Sequence, residues 1–172
     1  MKIFTRPLFT CLLIIISLGM PRGAHAGSRD VKRIGAGIGL FTEPFLSLIG
    51  YNLSYNIHNK LRLTAGYGSV SVTGSNFNLD VRSFGANLKY FPLDWNFAPF
   101  LEGGASSSSG SVSGSGTVIG LSMPTTGVYY SAGAGLDWQT TLGLNFGISY
   151  KFLFGSNANN FAAPGFYLGW FF

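Results

Sequence analysis

From Leu142 to Phe154 every second residue is bulky and apolar: Leu142, Leu144, Phe146, Ile148, Tyr150, Phe152 and Phe154. The intervening Gly143, Asn145, Gly147, Ser149 and Lys151 are small or polar. Side chains two apart share one face of a strand, whereas a helix repeats every 3.6 residues, so seven consecutive matches leave little room for a helix. The chain stops on a second such stripe, Phe166, Leu168, Trp170 and Phe172, with Gly165, Tyr167 and Gly169 between them. A wholly apolar strand face needs lipid or a partner to cover it.

Reading on for the same period gives eight candidate strands. The first, about Val31 to Phe41, alternates Ile34, Ala36, Ile38 and Leu40 with Arg33, Gly35, Gly37 and Gly39. The second sets Ile49, Tyr51, Leu53, Tyr55 and Ile57 against Gly50, Asn52, Ser54 and Asn56; the third carries Leu61, Leu63, Ala65 and Tyr67 outward. The fourth, about Asn78 to Phe91, turns out Phe84, Ala86, Leu88 and Tyr90. The sixth turns out Val128, Tyr130, Ala132, Ala134, Leu136 and Trp138. The fifth, Ala98 to about Ser106, is the weakest, and its Pro99 is tolerable only near a strand start.

With 25 glycines, 16 phenylalanines and 10% charged residues, the chain lacks the charged surface of a soluble protein. The first 26 residues read as a secretory signal peptide: Lys2 and Arg6 form a basic start, Leu12 to Leu18 an apolar run, and Ala24-His25-Ala26 a small-x-small cleavage site before Gly27. Cys11, the one cysteine, lies inside that segment. Lys2, Arg6 and Arg22 leave with it, so 8 basic face 6 acidic side chains in residues 27–172. Such a balance, without a cluster of basic residues, gives no footprint for nucleic acid. No later apolar run approaches the roughly 20 residues of a spanning helix. In a bilayer every backbone amide must be paired internally, which helices and closed barrels alone achieve. An all-β, eight-stranded antiparallel transmembrane up-and-down β-barrel over residues 27–172, preceded by a cleaved signal peptide over 1–26, is the expected architecture.

Barrels of this kind have short periplasmic turns, longer outer loops and both termini in the periplasm. Here the connections after the second, fourth and sixth strands are short: His58 to Lys60, Pro92 to Asn96 and Gln139 to Thr141. Those after the third, fifth and seventh are about Thr73 to Phe77, Ser107 to Thr126 and Gly155 to Ala163. The serine-rich Ala105 to Gly116 is too poor in apolar groups to offset its ordering entropy, which predicts a mobile outer loop. Val112, Val118 and Ile119 could extend the fifth and sixth strands beyond the membrane, offering an edge to a partner by strand addition.

Two short segments carry a resemblance. Gly133-Ala134-Gly135-Leu136-Asp137-Trp138 and the terminal Tyr167-x-x-Trp170-Phe171-Phe172 resemble segments of the small OmpA/OmpX-like outer-membrane β-barrels of Gram-negative bacteria. The resemblance implies residence in the outer membrane, contact with its lipids and lipopolysaccharide, and recognition by the barrel-assembly machinery. Phe166, Leu168, Trp170 and Phe172 would form that assembly signal.

Eight strands leave an interior filled by side chains. The polar lumen candidates are Arg33, Arg62, Lys89, Glu102, Asp137 and Lys151. If the fourth and fifth strands pair symmetrically about the Asp94 to Phe97 turn, Lys89 and Glu102 fall opposite each other as an ion pair. A network that plugs the barrel is the expectation, ahead of a substrate path. Gly35-Ala36-Gly37-Ile38-Gly39 lacks the strand-turn-helix setting of a dinucleotide loop and reads as inward strand positions. His58, the one histidine after the signal, falls in a periplasmic turn remote from outer-leaflet lipid A, and no cysteine accompanies it there, so no catalytic, metal or cofactor site is expected. The sequence thus points to a non-catalytic, monomeric membrane barrel with a structural, envelope-integrity or surface-interaction role, its outer loops open to an extracellular partner. The competing reading is a narrow, porin-like channel or an OmpW-like conduit for small hydrophobic molecules.

Overall fold

A computed structural model of the chain describes residues 28–41, 47–74, 77–114, 126–155 and 160–172. A single helical turn, α1 (Ser28–Val31), precedes eight strands: β1 (Ile34–Phe41), β2 (Ser47–His58), β3 (Leu61–Thr73), β4 (Phe77–Tyr90), β5 (Phe97–Gly114), β6 (Gly127–Gln139), β7 (Leu144–Gly155) and β8 (Phe161–Phe171). Each strand pairs antiparallel with the next, and β8 pairs with β1 from Gly35↔Phe171 to Phe41↔Gly165, closing the barrel. Closure satisfies the backbone of every strand along the band and leaves no sheet edge there.

Period two sets the wall. Outward residues such as Tyr51, Leu53, Phe84, Leu101 and Tyr130 are about 60% exposed or more, a band of apolar surface that water does not reward. Inward residues of the same strands are mostly small, polar or charged, with Phe100, Tyr129, Leu79 and Val81 as bulky exceptions. Two prolines fit because each lacks one neighbour: Pro99 precedes Leu101, the first β5 residue paired with β4, and Pro164 precedes Gly165, the last β8 residue paired with β1.

The strand ends differ from the sequence reading in three places. Residues 28–31 form a helical turn, so β1 begins at Ile34 and not near Val31. Leu142 and Gly143 belong to the β6–β7 turn, with Gly143 at φ +112°, a conformation glycine adopts without the clash a Cβ would bring. β5 runs on through the serines to Gly114 where a loop was expected. Backbone pairing with β4, from Tyr90↔Leu101 to Phe77↔Gly114, supplies the order that the serine side chains do not. The remainder of that expected loop, 115–125, lies outside the described residues.

The lumen is lined in part by aromatic rings, three of them seated opposite a glycine. Phe100 faces Gly135, Tyr167 faces Gly147 and Phe171 faces Gly35, all as direct cross-strand partners. A Cβ at Gly135 would meet the Phe100 ring at 2.5 Å, one at Gly147 the Tyr167 ring at 2.4 Å, and one at Gly35 the Phe171 ring at 2.8 Å. The glycines are therefore space reserved for rings. Gly147→Ala should lower stability by about 1–3 kcal/mol, the usual cost of overpacking. Urea unfolding of the barrel in lipid vesicles reads the loss, and an unchanged midpoint would mean that Tyr167 has room to swing away.

Candidate functional site

The parity that turns apolar residues outward drives charged ones into the lumen. Asp137 on β6 is fully buried at the end of the barrel that holds both described chain ends. The Arg62 guanidinium, from β3 across the lumen, places Nη1 2.7 Å from Asp137 Oδ2 and Nη2 3.3 Å from Oδ1. Arg29 reaches in from α1 and donates from Nη2 to Oδ1 at 2.8 Å. Asn145 Nδ2 donates to Oδ2 at 2.9 Å, and the Tyr167 hydroxyl donates to the same oxygen.

Arg62 has further partners on three strands. Its Nε donates to Asn56 Oδ1 at 2.8 Å, Nη2 to Gln139 Oε1 at 2.8 Å and Nη1 to Asn145 Oδ1 at 3.2 Å. The planar fork of arginine suits such many-sided bonding. Rings cover the guanidinium faces: Arg29 lies 4.1 Å from the Phe91 centroid and Arg62 4.6 Å from that of Phe171. Arg29 also donates to the Trp95 carbonyl at 2.5 Å, stitching α1 to the β4–β5 connection. Burial pulls the Arg29 guanidinium below its ordinary value and the Asp137 carboxylate opposes that shift. Arginine nonetheless stays charged in proteins, so Asp137 faces two full cations.

A second cluster sits further into the barrel. Lys89 on β4 and Glu102 on β5 are direct cross-strand partners, with Nζ 3.9 Å from Oε2. Lys151 on β7 approaches the same oxygen more closely, at 3.2 Å. All three are buried, and Lys89 lies over the Tyr167 ring at 3.9 Å and the Phe100 ring at 4.5 Å. Tyr167 thus touches both clusters, through its hydroxyl and through its face.

Of the six lumen candidates, the structure brings Arg62 to Asp137 and Lys89 and Lys151 to Glu102, and it leaves Arg33 out. Arg33 is exposed just before β1, its Nε donating to the Asp30 carbonyl at 3.1 Å. The strand parity that pointed it inward begins only at Ile34. Arg29 fills that role from α1, where no strand period could reveal it. Asn56, Asn145 and Tyr167 were already inward by parity, though only charged residues were singled out; Gln139 was read as a turn residue. His58 is exposed at the end of β2, and its Nδ1 lies 3.5 Å from the Lys60 amide. Ala24, Ala26 and Gly27, the expected cleavage site, lie outside the described residues. Phe166, Leu168 and Trp170 face outward on the closing strand and Phe172 follows it, all four exposed.

At the opposite end the wall changes character. Tyr67 and Phe84, a cross-strand pair, both face outward; the next outward pair is Ser69 and Arg82, followed by Ser71 and Asp80. The inward face switches the other way, and Val70, Leu79 and Val81 form a buried apolar cluster. Pairing of β2 with β3 stops at Ile49↔Ser69 and that of β5 with β6 at Ser108↔Gly127. β3, β4 and β5 therefore continue as a three-stranded extension, with outward Ser69, Ser71, Asn78, Arg82, Ser109 and Ser111 exposed. Among the described residues, Val70–Thr73 and Ser109–Gly114 pair with β4 on one side and have no strand on the other.

No protein-family model matches the sequence, and no curated protein does. Solved structures do resemble it. The N-terminal β-barrel domain of Pseudomonas aeruginosa OprF superposes with a TM-score of 0.54 at 14% identity, covering 81% of this chain and 96% of that one. Neisserial surface protein A (NspA) gives 0.51 at 16% identity over 80% and 92%. The Yersinia pestis outer membrane protein Ail gives 0.50 at 12% over 82% and 99%. Identities this low speak to the fold alone, and the fold is the eight-stranded barrel of the small outer-membrane proteins.

Proposed function

We propose that residues 1–26 are removed on export and that the rest is an integral outer-membrane barrel with both ends in the periplasm. On this reading it is non-catalytic and acts through the surface it shows outside the cell. One observation carries this reading: the barrel is filled along its axis while three strands run past the apolar band. Two buried ion clusters, the rings of Phe91, Phe100, Tyr167 and Phe171, and the Val70–Leu79–Val81 cluster occupy the lumen. About 9–11 tilted residues suffice to cross a bilayer, so the 18 residues of β5 and the 14 of β4 have length to spare. Past the Tyr67–Phe84 pair their outward face is polar, as water requires. Hydroxyls, Asn78 and the Arg82–Asp80 pair (3.6 Å) give a hydrogen-bonding face, and the serine edge of β5, which has no second strand beside it among the described residues, suits a partner that adds a strand.

The filled lumen argues against the channel or conduit reading. The test is a binding assay on intact cells against immobilised host-cell and matrix proteins, comparing the full chain with a variant lacking 109–126. Binding should fall at least about tenfold, or 1.4 kcal/mol, with the barrel still inserted. A steady conductance from the purified chain in planar bilayers, with binding unaffected by the deletion, would favour the channel instead.

A further inference from the structure

Asp137 meets two guanidiniums, and a barrel strand carries just one of them. Arg62 stands on β3 and donates to Asn56, Gln139 and Asn145 as well as to the carboxylate. Arg29 arrives from α1, ahead of β1, and its hydrogen bonds run through the two terminal nitrogens. Nη2 donates to Asp137 Oδ1 at 2.8 Å and Nη1 to the Trp95 carbonyl at 2.5 Å, while the Phe91 ring covers the guanidinium face at 4.1 Å. Its Nε has no acceptor among the described residues. Val31 beside it is 80% exposed, so the arginine head and not an apolar face anchors the turn.

A carboxylate oxygen, a carbonyl and an aromatic face suit a planar cation with forked donors. The barrel holds all three in place without α1. Asp137 Oδ2 is engaged by Arg62, Asn145 and Tyr167, which leaves Oδ1 to Arg29, with Arg62 Nη2 at 3.3 Å. The Phe91 amide donates to the Lys60 carbonyl at 2.9 Å, and Trp95 belongs to the β4–β5 connection. Pairing of β1 with β8 starts at Gly35↔Phe171, so α1 takes no part in the seam. The geometry points to a guanidinium-binding site built into this end of the barrel and filled in cis by Arg29, with α1 as a tethered plug whose head group a free guanidinium can replace. A primary ammonium would match the charge, but its compact head lacks the fork that reaches the carboxylate and the carbonyl side by side.

The test is chemical rescue of Arg29→Ala in the full barrel, refolded in detergent micelles. Thermal unfolding is followed at fixed ionic strength while methylguanidinium replaces methylammonium, up to about 20 mM, far below the molar range in which guanidinium unfolds proteins. A saturable rise in midpoint on the order of 5 °C is expected in the variant once the probe is well above its dissociation constant. The unaltered chain, its site already filled, should show none. Where the variant does not refold alone, its folded yield, read from the gel mobility of unheated samples, should rise with methylguanidinium and not with methylammonium. Equal midpoints in the two salts, an equal rise in the unaltered chain, or a yield that responds to neither salt or to both alike would each overturn the assignment.

Discussion

Asp137→Asn should produce the largest loss of stability of any single polar substitution in the barrel. The change keeps the volume and removes one charge. That charge is shared by Arg29 and Arg62, which sit 3% and 1% exposed, away from bulk solvent. Removing one partner of a buried pair costs about 3–5 kcal/mol, because the remaining ion stays desolvated and unpaired. Here two guanidiniums are left. The amide also reverses polarity toward the Tyr167 hydroxyl and Asn145, both of which donate to the carboxylate. The urea midpoint in lipid vesicles reads the effect. Asp94→Asn is the matched control, since its pair with Lys60 is 4.0 Å long and more than a third exposed, where a loss of no more than about 1 kcal/mol is expected. Equal, small losses in the two variants would mean that solvent reaches the Asp137 cluster.

The clusters also show what strand parity can and cannot deliver. Alternation alone turned Arg62, Lys89, Glu102, Asp137 and Lys151 toward one face, and symmetry about a short turn set Lys89 opposite Glu102. Neither operation says how far around the barrel a long side chain reaches. Lys151 stands on β7, yet it lies closer to Glu102 than the cross-strand lysine does. Parity also fails wherever the strand stops. Carried back past Ile34 it pointed Arg33 inward, whereas one helical turn puts Arg29 there. The serine run failed for a different reason: its lack of apolar groups argued for a loop, but β4 offered fourteen successive partners for the β5 backbone. Tertiary pairing overrode local preference, as it often does for strands.

On the proposed membrane placement, the polarity reversal along β3 and β4 marks the boundary of the lipid, and a pair of arginine substitutions tests it. Ala134 lies at the middle of β6, outward and exposed, between Leu101 on β5 and Tyr150 on β7, both exposed and apolar. An arginine there would be held near the bilayer midplane, where such a substitution costs about 2–4 kcal/mol. Ser71 is also outward and exposed, but it lies beyond the Tyr67–Phe84 pair and opposite Asp80. Ser71→Arg should change stability by no more than about 0.5 kcal/mol, as ordinary surface substitutions do. Measured by urea unfolding in vesicles, the two variants should therefore separate by at least about 1.5 kcal/mol. The difference depends on surroundings and not on the exchange itself, since both positions are small, outward and in a strand. If Ala134→Arg proved as harmless as Ser71→Arg, the apolar band would be meeting something other than hydrocarbon, and the proposed membrane placement would fall with it.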